Sequence, residues 1–384
     1  MDRQRQIWQW LLLKLCLVSL LKEDNNQTKG ERGTHQHQPI DDKLEREADN
    51  LPTMVDIKKV IPRHCFEPKV STSMSYVALD ATAIVVLYVV FEWVRSSFPW
   101  YTVCLIAPLF WLLQGTLFTA IFVLGHDCGH GSFSKSDVLN DVMGTILHTF
   151  LMVPYYCWKI SHRNHHKHTG NIDKDEVFYP TRKKDSPVTR TLLPGFGLGI
   201  GWYAYLAMGY GSRPVYHYNF LHRAFSRHVL ACAVSVSSLA VWVAILYHYT
   251  VYFGWGSLMI HYVIPAFVFA SWGVVFTFLH HTDENVPWFS DQKWNFVLGQ
   301  LSSIDREYGW AHRLTHDIGT HQIHHLFTKV PHYHLHEATR AFRRHFPHLV
   351  RYSRAPIIPT FIKMFRKYVQ QHVIADDADF HTYK

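Results

Sequence analysis

Four stretches of the chain, 75–94, 100–125, 229–251 and 257–279, are apolar with few interruptions. A helix needs about 20 such residues to cross a bilayer, so each is expected to span. Only a few residues separate the members of each pair, and links that short force consecutive helices to run side by side in opposite directions. The pattern predicts two helical hairpins, each entering and leaving the membrane on one side.

Between the hairpins, 139–158 is apolar but cut by Pro154, and 194–210 is rich in glycine and aromatic residues. Both are read as interfacial. The segment that joins the hairpins then stays on one side, and Lys159, Arg163, Lys167, Lys174, Arg182, Lys183, Lys184 and Arg190 assign that side to the cytosol by the bias of basic residues toward cytoplasmic loops. From about 285 onward the chain turns polar and basic, as expected of a cytosolic cap. At the other end, Arg3 and Arg5 precede an apolar run over 7–21 that is interrupted by Lys14. It resembles a signal-peptide core without a small-residue cleavage site. Residues 22–50 have almost nothing to bury and are expected to be disordered. The resulting division is 1–50 as apolar segment and tail, 51–345 as membrane domain and 346–384 as cytosolic tail. The fold class is an all-α integral membrane protein of four transmembrane helices in two hairpins, with a cytosolic helical cap.

Composition sharpens this picture. Charged residues make up 18% of the chain, below the usual share of about a quarter, which suits a chain partly dissolved in lipid. A net charge of +8 over 384 residues, with the basic groups mostly outside the apolar runs, fits a membrane surface better than nucleic acid. The six cysteines contain no C-x-x-C pair, which argues against a disulfide framework or a thiolate zinc site. Histidine is the outlier, with 29 residues.

Many of these histidines fall in three clusters. His126 and His130 (H-D-C-G-H) follow the second apolar run. His162, His165 and His166 (H-R-N-H-H) lie between the hairpins. His321, His324 and His325 (H-Q-I-H-H) follow the fourth run. On a helix, positions three or four apart share a face, so each cluster aims two or three imidazoles at one point. An even number of crossings precedes every cluster, so all three can meet on one side of the membrane. Eight imidazoles exceed the usual four ligands of a tetrahedral zinc site; two metal ions with four or five ligands each fit better. Imidazole suits iron, zinc, copper and nickel alike, so ligand type alone does not name the metal. His281, at the end of the fourth run, is the expected ninth ligand, and His316, five residues before His321, is a possible additional one. Asp127, Asp173, Asp175, Glu176, Asp305 and Asp317 are candidates to orient the ligands. His148, His217, His222, His228, His261, His332, His334 and His336 are read as ordinary solvated or hydrogen-bonded side chains.

With these clusters in place, the chain resembles the membrane fatty acid desaturase family, in the branch that desaturates toward the methyl end. The likeness rests on I-P-R-H-C-F-E at 61–67, H-D-C-G-H-G-S-F-S at 126–134, S-H-R-N-H-H at 161–166, D-K-D-E-V-F-Y-P at 173–180, I-D-R-E-Y-G at 304–309 and P-H-Y-H-L-H-E-A-T at 331–339. The resemblance implies two iron ions held by the histidines and dioxygen as co-substrate. It also implies cytochrome b5 and its reductase as electron donors, a fatty acyl-CoA or phospholipid acyl chain as substrate, and residence in the endoplasmic reticulum membrane. Asp127 and H-D-I-G-T-H-Q-I-H-H-L-F at 316–327 are similar to the omega-3 members, which convert omega-6 to omega-3 chains. Residues 310–314 and Gln322 depart from the plant patterns, and Δ12 desaturation of oleoyl chains stays open as the alternative. No heme-binding H-P-G-G occurs. More remote readings are an acyl hydroxylase on the same scaffold and a histidine-based metal transporter. The transporter needs polar residues inside the spans, where Asp80 and Gln114 are nearly the only ones.

Overall fold

The computed structural model describes residues 51–186 and 197–384. The N-terminal segment 1–50, Arg190 and the start of the 194–210 run lie outside the described residues.

A short helix, α1 (Met54–Val60), opens the described chain, with Thr53 and Asp56 forming a reciprocal capping box. Two long apolar helices follow, α2 (Val70–Ser97) and α3 (Trp100–His130). They are separated by Phe98 and Pro99, whose carbonyl accepts from Thr102 N at 3.0 Å. Proline suits this corner because it cannot continue α2, while its fixed φ starts α3. The pair packs antiparallel, with the Phe91 and Phe110 rings stacked at 4.2 Å.

At 1.5 Å per residue, the 31 residues of α3 measure about 46 Å. A hydrocarbon core is about 30 Å thick. The last turns of α3, which carry His126 and His130, therefore have length to stand beyond the core. Burial follows the same division. α3 is buried without a break from Gln114 to His130, whereas Val85, Val86, Val89, Val90 and Trp93 of α2 are exposed. So large an apolar surface suits lipid rather than water.

Among the described residues, three helical stretches are long and apolar enough to cross a membrane: Val70–Ser97, Trp100–His130 and the 53-residue Val229–His281. The last contains both the third and the fourth expected spans. It comprises α7 (Val229–Leu258), a π-helical turn (Met259–Val263) and α8 (Ile264–His281). It is not straight. Gly254 has φ +81° inside it, a backbone conformation that glycine adopts without strain. Trp242 Nε1 donates to Tyr262 Oη at 2.9 Å across 20 residues of sequence, which a straight helix would hold about 30 Å apart. The chain therefore folds back on itself at Gly254.

Between α3 and α7 the described residues form three shorter helices, α4 (Asp137–Thr149), α5 (Tyr155–His168) and α6 (Gly199–Met208). The 139–158 run is split where Pro154 predicts, with Met152 at φ +59° in the break. α6 has 10 residues, too few to span, and its Trp202 and Leu206 join α3, α5 and α8 in the largest buried apolar cluster.

The cap contains α9 (Phe296–Gln300), α10 (Trp310–Leu314), α11 (His321–Leu326), α12 (His332–His345) and α13 (Ile357–Gln371). The expectation of an all-α chain is corrected in one respect. Among the described residues, six two-residue strands form three sheets: β1 (Thr181–Arg182) pairs in parallel with β5 (Val373–Ile374), β2 (Trp288–Phe289) antiparallel with β6 (Phe380–His381), and β3 (Asp305–Arg306) in parallel with β4 (Tyr352–Ser353). Each sheet ties the C-terminal segment to an earlier loop, β1 in the stretch after α5 and β2 and β3 in the cap. The segment expected as a trailing tail is therefore packed into the cap, with Met364, Tyr368 and Tyr383 buried in one cluster with Phe278 of α8. Its apolar residues are spaced along one amphipathic helix and three two-residue strands, too sparse a pattern to separate from a tail by composition.

Candidate metal centre

The three histidine clusters ride on helix ends. α3 carries His126 and His130 in its last turn and a half, where Gly131 at φ +69° closes the helix. α5 carries His162, His165 and His166 along its C-terminal half. α8 ends on His281, and α11 is little more than His321, His324 and His325. Asp305 of β3 caps α11, its Oδ1 accepting from the backbone N–H of His321 at 2.6 Å and of Gln322 at 2.8 Å. A carboxylate at a helix N-terminus satisfies orphan donors and complements the helix dipole. Gln322 fastens the same helix on its far side, its Oε1 accepting from Arg351 N at 2.8 Å.

These ends converge into two adjacent groups. In the first, the ligand-capable atoms of His126, His130, His162, His166 and His324 all lie within 4.8 Å of one another. The second holds His165, His281 and His325 by the same measure. His321 joins it through Nε2, 3.0 Å from Nε2 of His281 and 2.9 Å from that of His325. All nine expected residues are thus brought together, as five and four. His316 is not. Its Nε2 meets Asp80 Oδ2 of α2 at 2.6 Å, so its place is at the α2–cap contact.

The donor set fits metal ions on its own geometry. Facing Nε2 atoms stand 2.9 to 3.3 Å apart throughout: His126–His130 at 3.2 Å, His162–His166 at 3.1 Å, His166–His324 at 3.3 Å and His165–His281 at 3.3 Å, besides the two contacts of His321. A neutral imidazole has one N–H, so a ring facing several others cannot satisfy them all with protons. Nitrogens each about 2.1 Å from a shared ion would stand about 3.0 to 3.4 Å apart, matching the observed spacing. Burial drives His162, His166, His321, His324 and His325 well below the ordinary imidazole pKa, and neighbouring histidines add to the effect. These five therefore stand neutral, the form that binds metal.

Outer contacts fix several rings. Both oxygens of Asp175 lie 3.0 Å from His165 Nδ1, holding Nε2 toward the group, a common way of orienting a ligand. Thr169 Oγ1 donates to His165 O at 2.8 Å and lies 3.1 Å from His325 Nδ1. Trp158 stacks on His162 at 4.4 Å and Phe178 on His281 at 4.8 Å. Asp127 bonds mainly to His332, with Oδ2 2.9 Å from its Nδ1, and lies 3.7 Å from His126 Nδ1. Asp173 pairs with Arg182 and Asp317 with His336, both away from the ligand rings, and the Glu176 carboxyl engages Asn164.

The sequence reading missed Thr169, Trp158, Phe178 and His332. The first two were within reach: Trp158 stands four residues before His162 and Thr169 four after His165, the helical spacing that brings side chains together. Nothing local marks Phe178, and His332 gains its role only when α12 packs beside α3.

Apolar helices long enough to cross a bilayer, two of which end on histidines that join two adjacent polyhistidine groups suited to metal ions, fit the class of membrane metalloproteins. The profile of the fatty acid desaturase family matches residues 75–356. The chain is 40% identical over 334 residues to an sn-1 acyl-lipid omega-3 desaturase (ferredoxin) of Synechocystis, covering 83% of this chain and 88% of that one. It is 38% identical over 349 residues to the acyl-lipid omega-3 desaturase (cytochrome b5), endoplasmic reticulum, of Arabidopsis thaliana, covering 86% of each. A temperature-sensitive sn-2 acyl-lipid omega-3 desaturase (ferredoxin), chloroplastic, from the same plant is 35% identical over 347 residues, covering 85% of this chain and 76% of that one. The chain belongs to the fatty acid desaturase family.

Proposed function

We propose that this protein is an omega-3 fatty acyl desaturase that inserts a cis double bond into omega-6 acyl chains at a di-iron centre. The carrying observation is the division of nine histidines, all buried but the half-buried His162, into groups of five and four with facing nitrogens. His126, His130, His162, His166 and His324 would hold one iron, and His165, His281, His321 and His325 the other. When bound, the irons would supply dioxygen activation. The overall reaction takes two hydrogens from adjacent methylenes and, with two electrons and two protons, reduces dioxygen to two waters.

The residues themselves set the conditions for this chemistry. Burial keeps His162, His166, His321, His324 and His325 neutral, while Asp175 and Thr169 keep His165 and His325 turned inward. Removing unactivated hydrogens requires the acyl chain to lie within near-attack distance, about 3 to 3.5 Å. A continuous aromatic column leads from the middle of α8 to the second group. Trp272 stacks on Phe276 at 4.8 Å, Phe276 meets Tyr308 at 4.4 Å, Tyr308 meets His280 at 5.5 Å, and His280 stacks on His321 at 4.0 Å. This column forms one wall of the acyl path. Trp272 is fixed in it by an Nε1 bond to Thr116 Oγ1 of α3 at 3.0 Å.

The reading includes four crossings, with Gly254 at the tip of the second hairpin and the histidines on the cytosolic side of the endoplasmic reticulum. The fold-back at Gly254 supports the hairpin, and the Arabidopsis relative named for that compartment supports the location. Cytochrome b5 with its reductase is the proposed donor, and a phospholipid acyl chain the favoured substrate over acyl-CoA, in line with the acyl-lipid relatives. Expression in yeast fed separately with oleic, linoleic and arachidonic acids tests the regiochemistry by fatty acid profiling. New omega-3 double bonds from the two omega-6 acids are expected; a product from oleic acid alone would favour the Δ12 alternative. Reconstitution with cytochrome b5 and its reductase, or with ferredoxin, separates the two carriers.

A further inference from the structure

Outside the nine-histidine centre, the turn before α2 and the first half of α12 bring four potential ligands together. His64 and Cys65 are neighbours on the 3-10 turn Arg63–Phe66, which is closed by Cys65 N donating to Pro62 O at 3.0 Å and Glu67 N to His64 O at 3.1 Å. His334 and Glu337 are three residues apart on α12 and so share a face. One ligand atom from each of the four lies within 4.8 Å of the others. His64 Nε2 is 2.9 Å from Glu337 Oε2 and 3.8 Å from Cys65 Sγ, and the His64 and His334 rings meet edge to face at 5.3 Å. Cys65 and His334 are buried, while His64 and Glu337 form the outer rim.

We propose that His64, Cys65, His334 and Glu337 form a second metal site, separate from the nine-histidine centre, that binds one zinc ion. A thiolate, two imidazoles and a carboxylate are all ligands that zinc takes, and four protein ligands fill its tetrahedral shell. Two neutral imidazoles and two anionic ligands also balance the ion's double charge, so no net charge is left beside the buried Cys65. Binding forms the zinc–sulfur bond as the Cys65 thiol proton leaves to solvent.

With no open coordination position the ion is structural. It crosslinks segments 273 positions apart in sequence, and the crosslink lies where the cap meets the first long helix. Lys69 N, at the start of α2, donates to Tyr333 Oη of α12 at 2.8 Å. His332 of the same helix holds Asp127 in the first histidine box. The absence of a C-x-x-C pair pointed away from a thiolate zinc site because that signal needs two nearby cysteines; here a single thiolate suffices, its partners arriving from a distant helix.

The test is elemental analysis of the full-length protein, purified in detergent without chelator. One zinc per chain is expected in addition to iron. Cys65→Ser and His64→Ala should each lose that zinc and keep the iron. His64 is half exposed, with 54% of its side chain accessible, so His64→Ala tests the site even where Cys65→Ser fails to accumulate. Protein from zinc-depleted medium, titrated with cobalt(II), should develop an intense near-ultraviolet thiolate charge-transfer band, absent in Cys65→Ser. Wild-type protein with neither zinc nor that band, or variants that retain full zinc, would overturn the proposal and reduce the cluster to a His64–Glu337 ion pair. The iron content in the same samples reports on the nine-histidine centre independently.

Discussion

The five-histidine and four-histidine groups are built from the same side chain yet are held in place differently. In the five-histidine group, four ligands come as i,i+4 pairs on α3 and α5, so helix geometry alone aims them. His126 and His166 have no hydrogen bond on Nδ1 among the described residues, and His162 is held by the Trp158 ring. The four-histidine group draws single residues from α5 and α8 and a pair from α11, and hydrogen bonds fix two of its rings, Asp175 on His165 and Thr169 on His325, while Nδ1 of His321 has none among the described residues. A single histidine such as His165 depends on outside orientation, while a paired one such as His126, His166 or His321 stands without a hydrogen bond on Nδ1.

That contrast is easiest to break by removing ligands. His165→Ala in one group and His130→Ala in the other should each abolish the double-bond product at unchanged protein level, read by fatty acid profiling and immunoblot, with a matching drop in iron. Retained activity in either variant would strike that residue from the ligand set. On the proposed reading both groups serve one reaction, so the two losses should be equally complete.

The next changes separate the groups. Asp175→Asn keeps the shape but removes the charge that orients His165, and loss of such a partner typically costs 10- to 100-fold in metal affinity or activity. Asp127→Asn should cost clearly less, because Asp127 stands 3.7 Å from His126 Nδ1 and bonds chiefly to His332. Iron-dependence curves for the two variants measure the difference. Equal losses would mean that both groups rely on carboxylates and would remove the contrast. A smaller effect is expected of Thr169→Val, which leaves the His165 carbonyl and His325 Nδ1 without their shared hydroxyl. Unpaired buried groups cost about 1 to 3 kcal/mol, read as a lowered thermal midpoint that Thr169→Ser restores.

The same division explains what the sequence made legible. The eight box histidines stood out because their spacing follows the helix period, and His281 because it ends an apolar run. Pro154 marked the break between α4 and α5 by removing a backbone donor, and the tight link at Pro99 marked the first hairpin. Long-range geometry left no such trace. Asp80 pairs with His316 across 236 positions, Thr169 reaches His325 across 156, and the C-terminal strands find earlier loops that no local pattern links to them. Periodicity reports which residues share a face of one helix; it carries nothing about which faces meet.

Acid provides the finest probe, because here the two groups should behave alike. His162 and His166 on one side and His321 and His325 on the other are all held well below the ordinary imidazole value, chiefly by burial. In the unfolded chain these rings take up protons below about pH 6.5; in the folded chain they remain neutral. The unfolded state therefore binds more protons in that range, and stability falls as pH drops through about 6.5, each such ring contributing about 1.4 kcal/mol per pH unit. Above that window neither state binds these protons, so stability should be level with respect to these rings. Metal affinity should also be nearly constant between about pH 6.5 and 8, because ligands that are already neutral release no protons on binding. Iron-release and thermal-unfolding curves across this range check both statements. A steep loss of iron as pH falls from 8 toward 6.5 would mean that the rings take up protons in the folded protein, and the burial that unites the two groups would not be what keeps them ready for metal.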